Sequence, residues 1–324
     1  MENGVDYPHL SWEGTSGVPI PSLQPIPLNG SGTAEDPYLI STAEEFALLS
    51  WYPEILDKHI RLTADLNLTG ITLYPIGDLG RFTGVFDGDG YTISNVIINE
   101  PKNYFVGLLG WVGKGGQIHD LGVENVYIEG GNYVGGLVGR NYASTITGCY
   151  ITGSVSGTDF VGGLVGENNI SSMVTSCSVT GSVNGTNSVG GLIGRNYLSS
   201  TITCCYANNS VHGEESIGGL VGYNDSATIN ECYATGRVSG VIDIGGLVGK
   251  RSSGSVIASF WDKQTSGRTS SAGGTGKTTA EMMMLGTFVG AGWDFTEEDG
   301  DGAEWRMLRE GEDYPRLAWQ EVYG

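Results

Sequence analysis

The stretch that decides the fold is VGGLVG at Val134–Gly139, repeated at Val161–Gly166, as VGGLIG at Val189–Gly194, and as IGGLVG at Ile217–Gly222 and Ile244–Gly249. Successive starts lie 27, 28, 28 and 27 residues apart. A period of this size marks a solenoid, in which one repeat cannot bury its apolar face alone and does so against its neighbours. Outward from the hexapeptide the register holds. Leu137, Leu164, Leu192, Leu220 and Leu247 align, as do Asn141, Asn168, Asn196 and Asn224, and Cys149, Cys177, Cys205 and Cys232. The repeat consists of short β-rich runs broken by glycine, with no helical periodicity, so strands are its element. In a parallel β-helix equivalent positions in successive turns stand about 4.8 Å apart, and each aligned column becomes a ladder.

The columns have physical roles. Asn both donates and accepts, so a stacked Asn column can satisfy polar groups along the axis. The Cys column reads as buried thiols. Stacked Cα atoms fall within disulfide range, but parallel Cβ directions do not suit the required torsion, and five cysteines are an odd number. Cys204, one place before the ladder, is expected to point away from it. Val and Leu of VGGLVG stand three apart, so strict alternation would place them on opposite faces. A bend at the glycine pair brings both inward.

The GLVG, GLIG and GLLG tetrads within this repeat resemble the GLUG motif, over Val106 to about Ser259. FDGDGYTISNVII from Phe86 resembles the first-coil signature that precedes such repeats, and GSGTAEDPYLISTAEEF from Gly30 resembles the segment that enters them. The resemblance implies an all-β right-handed parallel β-helix of about seven coils on secreted or surface proteins of bacteria and archaea. That family includes adhesin-like chains and some immunoglobulin A peptidases, and its repeats are not themselves known as catalytic. The expected organisation is a tail and linker over 1–29, a capping segment with a short helix over 30–58, the β-helix over 59–261, and a C-terminal capping segment over 262–324.

Composition is consistent with this. The 54 glycines of 324 residues fall at fixed repeat positions, which argues for turns and not disorder. A net charge of −20 repels phosphate backbones and anionic lipid, so nucleic acid is excluded as a partner. No run approaches the length of apolar sequence that inserts in a membrane. MENGVDYPH lacks the pattern of a signal peptide. Glu2–Trp12 (ENGVDYPHLSW) and Arg309–Trp319 (REGEDYPRLAW) share six of eleven residues at an offset of 307. That pairing is expected if units of this length follow one another and the first dozen residues are the tail of a preceding unit.

At the ends, Ser41 or Thr42 with Glu44 and Glu45 signals a helix over about Thr42–Trp51 that covers the open first coil. Thr278 or Thr279 with Glu281 signals a second short helix through Met282, Met283 and Leu285. The aromatic residues from Trp293 to Trp319 supply a satellite core expected to close the far end.

Candidate chemistry is sparse. GGTGKTT from Gly273 resembles a phosphate-binding loop, but Ser271 stands where that motif requires glycine. His9, His59, His119 and His212 are scattered, and HExxH and CxxC are absent, which excludes a zinc peptidase in this segment. No cofactor is expected, although DGDG at Asp87 and EEDGDG at Glu297 could hold Ca²⁺. For a polysaccharide lyase or hydrolase, the candidates are Arg140, Glu167 and Arg195, in the column that follows the tetrad. Alternating charge at ladder spacing is equally what cross-strand pairing favours. Tyr150, Tyr206 and Tyr233 form an aromatic column, broken by Ser178, that could stack on sugar rings. Thr145, Thr147, Thr201, Thr203 and Thr228 form ranks like those of ice-binding solenoids, interrupted by Met173 and Asn230. The reading is a non-catalytic extracellular or cell-surface module, a rigid spacer or adhesive stalk. Its partner would be a polysaccharide or another surface protein, and the alternative is a β-helix enzyme acting on polysaccharide.

Overall fold

The computed structural model describes residues 27–77, 80–295 and 304–320. The Glu2–Trp12 segment and EEDGDG lie outside them. The chain winds as a parallel β-helix with three sheets along its axis. The first contains nine strands, from Tyr38–Ile40 to Gly254–Ile257, and the third contains six, from Leu109–Val112 to Val248–Arg251. The second, longer sheet carries the remaining faces. About seven complete turns run between His59 and Arg251, as the repeat predicts.

Register is the expected one. Val138 pairs with Val165, Val165 with Ile193, Ile193 with Val221, and Val221 with Val248, all parallel. The leucine column stacks directly, with the Leu164 N–H donating to Leu192 O at 2.9 Å and Leu192 N–H to Leu220 O at 2.9 Å. All five leucines are fully buried. The inward residues of the first sheet, Ile118, Ile146, Val174, Ile202 and Ile229, add a second column to one continuous core.

The bend in VGGLVG lies where the chain leaves the second sheet at Gly162 and enters the third at Val165. Val161 and Leu164 are both buried, so the corner turns both inward. The glycines are required by proximity. A Cβ on Gly162 would stand 2.1 Å from Val165 O, and one on Gly163 would stand 2.3 Å from Gly191 O of the next turn. The left-handed backbone sits just before the hexapeptide, on Tyr133, Phe160, Ser188, Ser216 and Asp243 at φ between 52° and 60°.

The polar ladders are internal. Asn141 Nδ2 donates to Asn168 Oδ1, Asn168 to Asn196, and Asn196 to Asn224, each at 2.9 Å, and Asn224 closes the series on Ala227 O at 3.0 Å. The five thiols are free and buried. Cys177 N–H meets Cys205 Sγ at 3.4 Å, Cys205 N–H meets Cys232 Sγ at 3.4 Å, and Ser259 Oγ takes the next rung at 3.2 Å. Cys204 points the other way, into a second apolar cluster, where burial first and then the nearby Glu231 carboxylate push its thiol up to about 12. Burial also pushes Cys149, Cys177 and Cys205 well up. Thiolates are the reactive species, so a thiol reagent is expected to modify none of the five quickly in the native protein and all five in denaturant. Rapid native labelling of any ladder cysteine would contradict this packing.

Both expected helices start at their capping boxes but are shorter than expected, the first ending at Leu48 and the second at Met282. Ala43–Leu48 starts at Thr42 with a capping box to Glu45, and buries Phe46 edge-on to Phe86 at 6.1 Å. Thr279–Met282 starts at Thr278 with a capping box to Glu281, followed by a further helix at Leu285–Val289. Burial raises the Glu45 pKa, but hydrogen bonds from Ser41 and Thr42 outweigh it and leave the group below the usual range. Hydrogen bonds from the Thr278 N–H and hydroxyl lower Glu281. Stability from a depressed carboxyl is present above its unfolded pKa and lost as pH falls through the folded value. Protection of the Phe46 and Met282 amides, taken relative to the intrinsic exchange rate at each pH, is therefore expected to fall below about pH 4. Glu281→Gln, which keeps the box, is expected to remove the pH dependence at Met282. Unchanged dependence in that variant would refute the assignment.

The C-terminal segment departs from expectation. GGTGKTT is neither a loop nor a phosphate cradle, because Thr275–Lys277 pairs in parallel with Phe260–Asp262 as a further strand. The stretch near Ser270–Lys277 covers the last turn, with Gly246 N–H donating to Ser270 O and Ala272 N–H to Val248 O. From there the chain folds back along the flank. Trp293, Trp305, Phe288 and Leu317 pack on Tyr233, Phe260 and Cys204, and Trp319 Nε1 donates to Ser176 O at 3.2 Å. The satellite core exists, but it lies on the side of the solenoid instead of at its end. Tyr206, Tyr233 and Phe260 supply the apolar surface on which the segment lies.

Candidate functional site

The catalytic candidates are locked in the scaffold. Glu167 has only 3% of its side chain exposed, with Arg140 Nε at 3.0 Å and Arg195 Nη1 at 3.5 Å. Asn169 Nδ2 donates to the same carboxylate at 3.0 Å, and Arg195 Nη2 reaches Asp225 at 3.5 Å. The guanidinium groups are also clamped by aromatic rings, Arg195 over Tyr197 at 3.8 Å and Arg140 over Trp111 at 4.8 Å. Beside them Phe105, Tyr133 and Phe160 stack at 4.9 Å. The column is a cross-turn ion-pair and cation–π ladder in which the one carboxylate between the two arginines is almost wholly covered. Removing one member of such a buried network strands the others. Glu167→Leu is thus expected to cost about 3 kcal/mol in urea unfolding. A loss below about 1 kcal/mol would show the network to be dispensable.

The carboxylates of DGDG are partly committed. Asp87, His119 and Asp120 each place a ligand atom within 4.8 Å of the others. Asp87 already accepts from Arg61 Nε at 2.8 Å and from Asp89 N–H at 2.9 Å, and His119 Nδ1 lies 2.9 Å from Asp120. A cation there would share Asp87 with Arg61. The threonine ranks do fall in register, Thr145 on Met173 on Thr201 on Thr228.

The tyrosine column is in register, Tyr150 on Ser178 on Tyr206 on Tyr233. Its fate differs from expectation. Tyr233 is only 2% exposed, beneath Trp293, Trp305 and Tyr314, and its hydroxyl donates to Pro315 O, so no sugar can reach it. Tyr206 stacks on Tyr233 at 5.0 Å and 6°, and its hydroxyl donates to Gln320 Oε1 at 3.0 Å. Tyr150 remains at the edge of the covered region.

Between that edge and the returning segment lies a groove of about 750 Å³. Its floor is Tyr150, whose ring rests over Gly122 so closely that a Cβ there would stand 2.5 Å from the ring. The Tyr150 hydroxyl donates to Glu124 Oε1 at 2.6 Å. Trp319 forms one wall, 6.2 Å from Tyr150 between ring centroids, and remains 40% exposed. Arg316 and Gln320 complete that side, and Asp89, Asp120 and Glu124 face it. Of these residues only Tyr150 was expected to meet a sugar, whereas Asp89 fell in the DGDG read as a possible Ca²⁺ site and Trp319 was counted into the satellite core. Trp319 and Arg316 join it across more than 160 residues, through a return path that local pattern does not encode. Gly122 carried a signal, since it fills the tyrosine register with no side chain of its own.

Residues 130–156 and 213–239 match the GLUG motif. Halomucin of Haloquadratum walsbyi is 35% identical over 154 residues, which is 44% of this chain and 2% of halomucin. A chain described as a Gly-rich membrane protein of Evansella cellulosilytica is 39% identical over 122 residues, 35% of this chain and 14% of that one. The chain thus spans a small part of the curated relatives it matches. Two solved structures share the fold. One, described as an immunoglobulin A1 protease from Bacteroides ovatus, superposes with a TM-score of 0.54 at 18% identity, over 90% of this chain and 95% of that one. The other, an IgA1 protease, gives 0.55 at 22% identity, over 69% of this chain and 19% of its own length.

Proposed function

We propose that this GLUG-repeat solenoid is a non-catalytic module of a larger extracellular or cell-surface protein, a rigid spacer that holds other parts away from the surface. The observation that carries the reading is the fate of the charged column, in which Glu167 is buried between two arginines. Chemistry at that column is spent on joining turns. The Asn column and the Arg140–Glu167–Arg195 column are each engaged with their own equivalents along the axis, which stiffens a rod. The acidity of the chain and its similarity to part of halomucin support an extracellular setting.

The second reading, a polysaccharide lyase or hydrolase, is favoured by one observation, the groove in which Asp120 and Glu124 face Arg316. The two separate on incubation with a panel of acidic and neutral glycans, followed for unsaturated and reducing-end products. The spacer reading expects no product. Product formation that Glu124→Gln abolishes would replace it with the enzyme.

A further inference from the structure

The groove beside Tyr150 is not needed by a spacer, and its walls have a definite chemistry. Its volume of about 750 Å³ lies within the range of about 300–1,000 Å³ usual for small-molecule sites. The two rings that meet in it are fixed. Trp319 is tied to Ser176 O, and Tyr150 is tied to Glu124 and set down on Gly122. A prepositioned aromatic pair, its ring planes 33° apart, offers faces for the C–H surface of a pyranose ring and costs little ordering on binding. The carboxylate oxygens of Asp89, Asp120 and Glu124 offer hydrogen-bond acceptors, which suits hydroxyl and ammonium donors.

Charge then narrows the sugar. Among the lining residues three carboxylates face one cation, Arg316, and the whole chain carries −20. A uronate or sulfated sugar would be repelled, and a protonated amine attracted. We propose that this groove binds an oligosaccharide containing a free amino sugar, with Tyr150 and Trp319 as the stacking platform and Asp120 and Glu124 as acceptors for its ammonium and hydroxyl groups. The binding site would make the module a receptor as well as a spacer. A rod without such a site would still be a rod, so the two readings stand or fall separately.

The test is calorimetric titration of the whole chain with three probes: a β-linked glucosamine disaccharide, cellobiose and digalacturonate. The glucosamine disaccharide is expected to bind about tenfold more tightly than cellobiose, through charge-assisted hydrogen bonds, and digalacturonate not at all. Asp120→Asn keeps a residue that tolerates the φ of 53° at this position. Together with Glu124→Gln it is expected to bring the glucosamine disaccharide down to the cellobiose level. Trp319→Ala is expected to abolish binding of both, with the near-ultraviolet dichroism of the tryptophan cluster confirming that the segment stays docked. The proposal is overturned if the glucosamine disaccharide gives no heat. It is equally overturned if digalacturonate binds as well, or if the double carboxamide variant binds the disaccharide undiminished.

Discussion

Gly191→Ala is expected to cost about 3 kcal/mol or more, although it adds a single methyl group. A Cβ at this position would stand 2.0 Å from Gly219 O in the next turn, with Asn209 Oδ1 at 2.5 Å and Ala207 Cβ at 2.9 Å. None of these can retreat freely. The Gly219 carbonyl belongs to the backbone of the adjacent turn, and Asn209 is tied to Gly191 O at 2.8 Å. Relief therefore requires neighbouring turns to separate, which breaks the leucine ladder on the same corner. Gly286 is the control. A Cβ there meets nothing within 4 Å, and the residue lies in the helix Leu285–Val289. Gly286→Ala is expected to be neutral or to stabilise by about 0.5–1 kcal/mol. Urea unfolding of both variants checks the contrast, and equal effects would show that turn spacing does not set the glycine requirement.

Asn168→Leu is expected to lower stability by about 2–5 kcal/mol, the cost of two buried amide groups each losing a partner. Leucine fills a similar volume, so the loss measures polar satisfaction more than cavity formation. Asn141 Nδ2 would lose its acceptor and Asn196 Oδ1 its donor. At the end of the ladder, Asn224→Leu deprives only Asn196 of a side-chain acceptor, and Asn196 retains Thr228 O at 3.3 Å. The interior substitution is accordingly expected to cost more than the terminal one. If the order reversed, the Asn column would be a passive row and not a connected network.

The regular part of the molecule was legible because each column says the same thing four or five times. A single Asn in a β-rich run is ambiguous, but Asn141, Asn168, Asn196 and Asn224 at one spacing admit one arrangement in which all are satisfied. The bend in VGGLVG was also readable, though its strain was not. The left-handed residues are Tyr133, Phe160, Ser188, Ser216 and Asp243, and no shared side-chain property announces that backbone. They are held there by the turns above and below. The satellite core was legible as apolar surface but not as a place. Its docking on Tyr206, Tyr233 and Phe260 depends on a return path of the chain, and a tyrosine column reads equally as a platform for sugar or for tryptophan. The groove beyond it shares that origin, since Trp319 and Arg316 acquire a role only once the segment has turned back.

The central claim is that successive turns lie directly over one another in a single register. Couplings through hydrogen bonds, measured by NMR from an amide nitrogen to the carbonyl carbon that accepts from it, report this residue by residue. The account predicts couplings from Leu137 to Leu164, Leu164 to Leu192, Leu192 to Leu220, and Leu220 to Leu247. Couplings from these leucines to any other residues, in the pattern of an antiparallel sandwich, would contradict it.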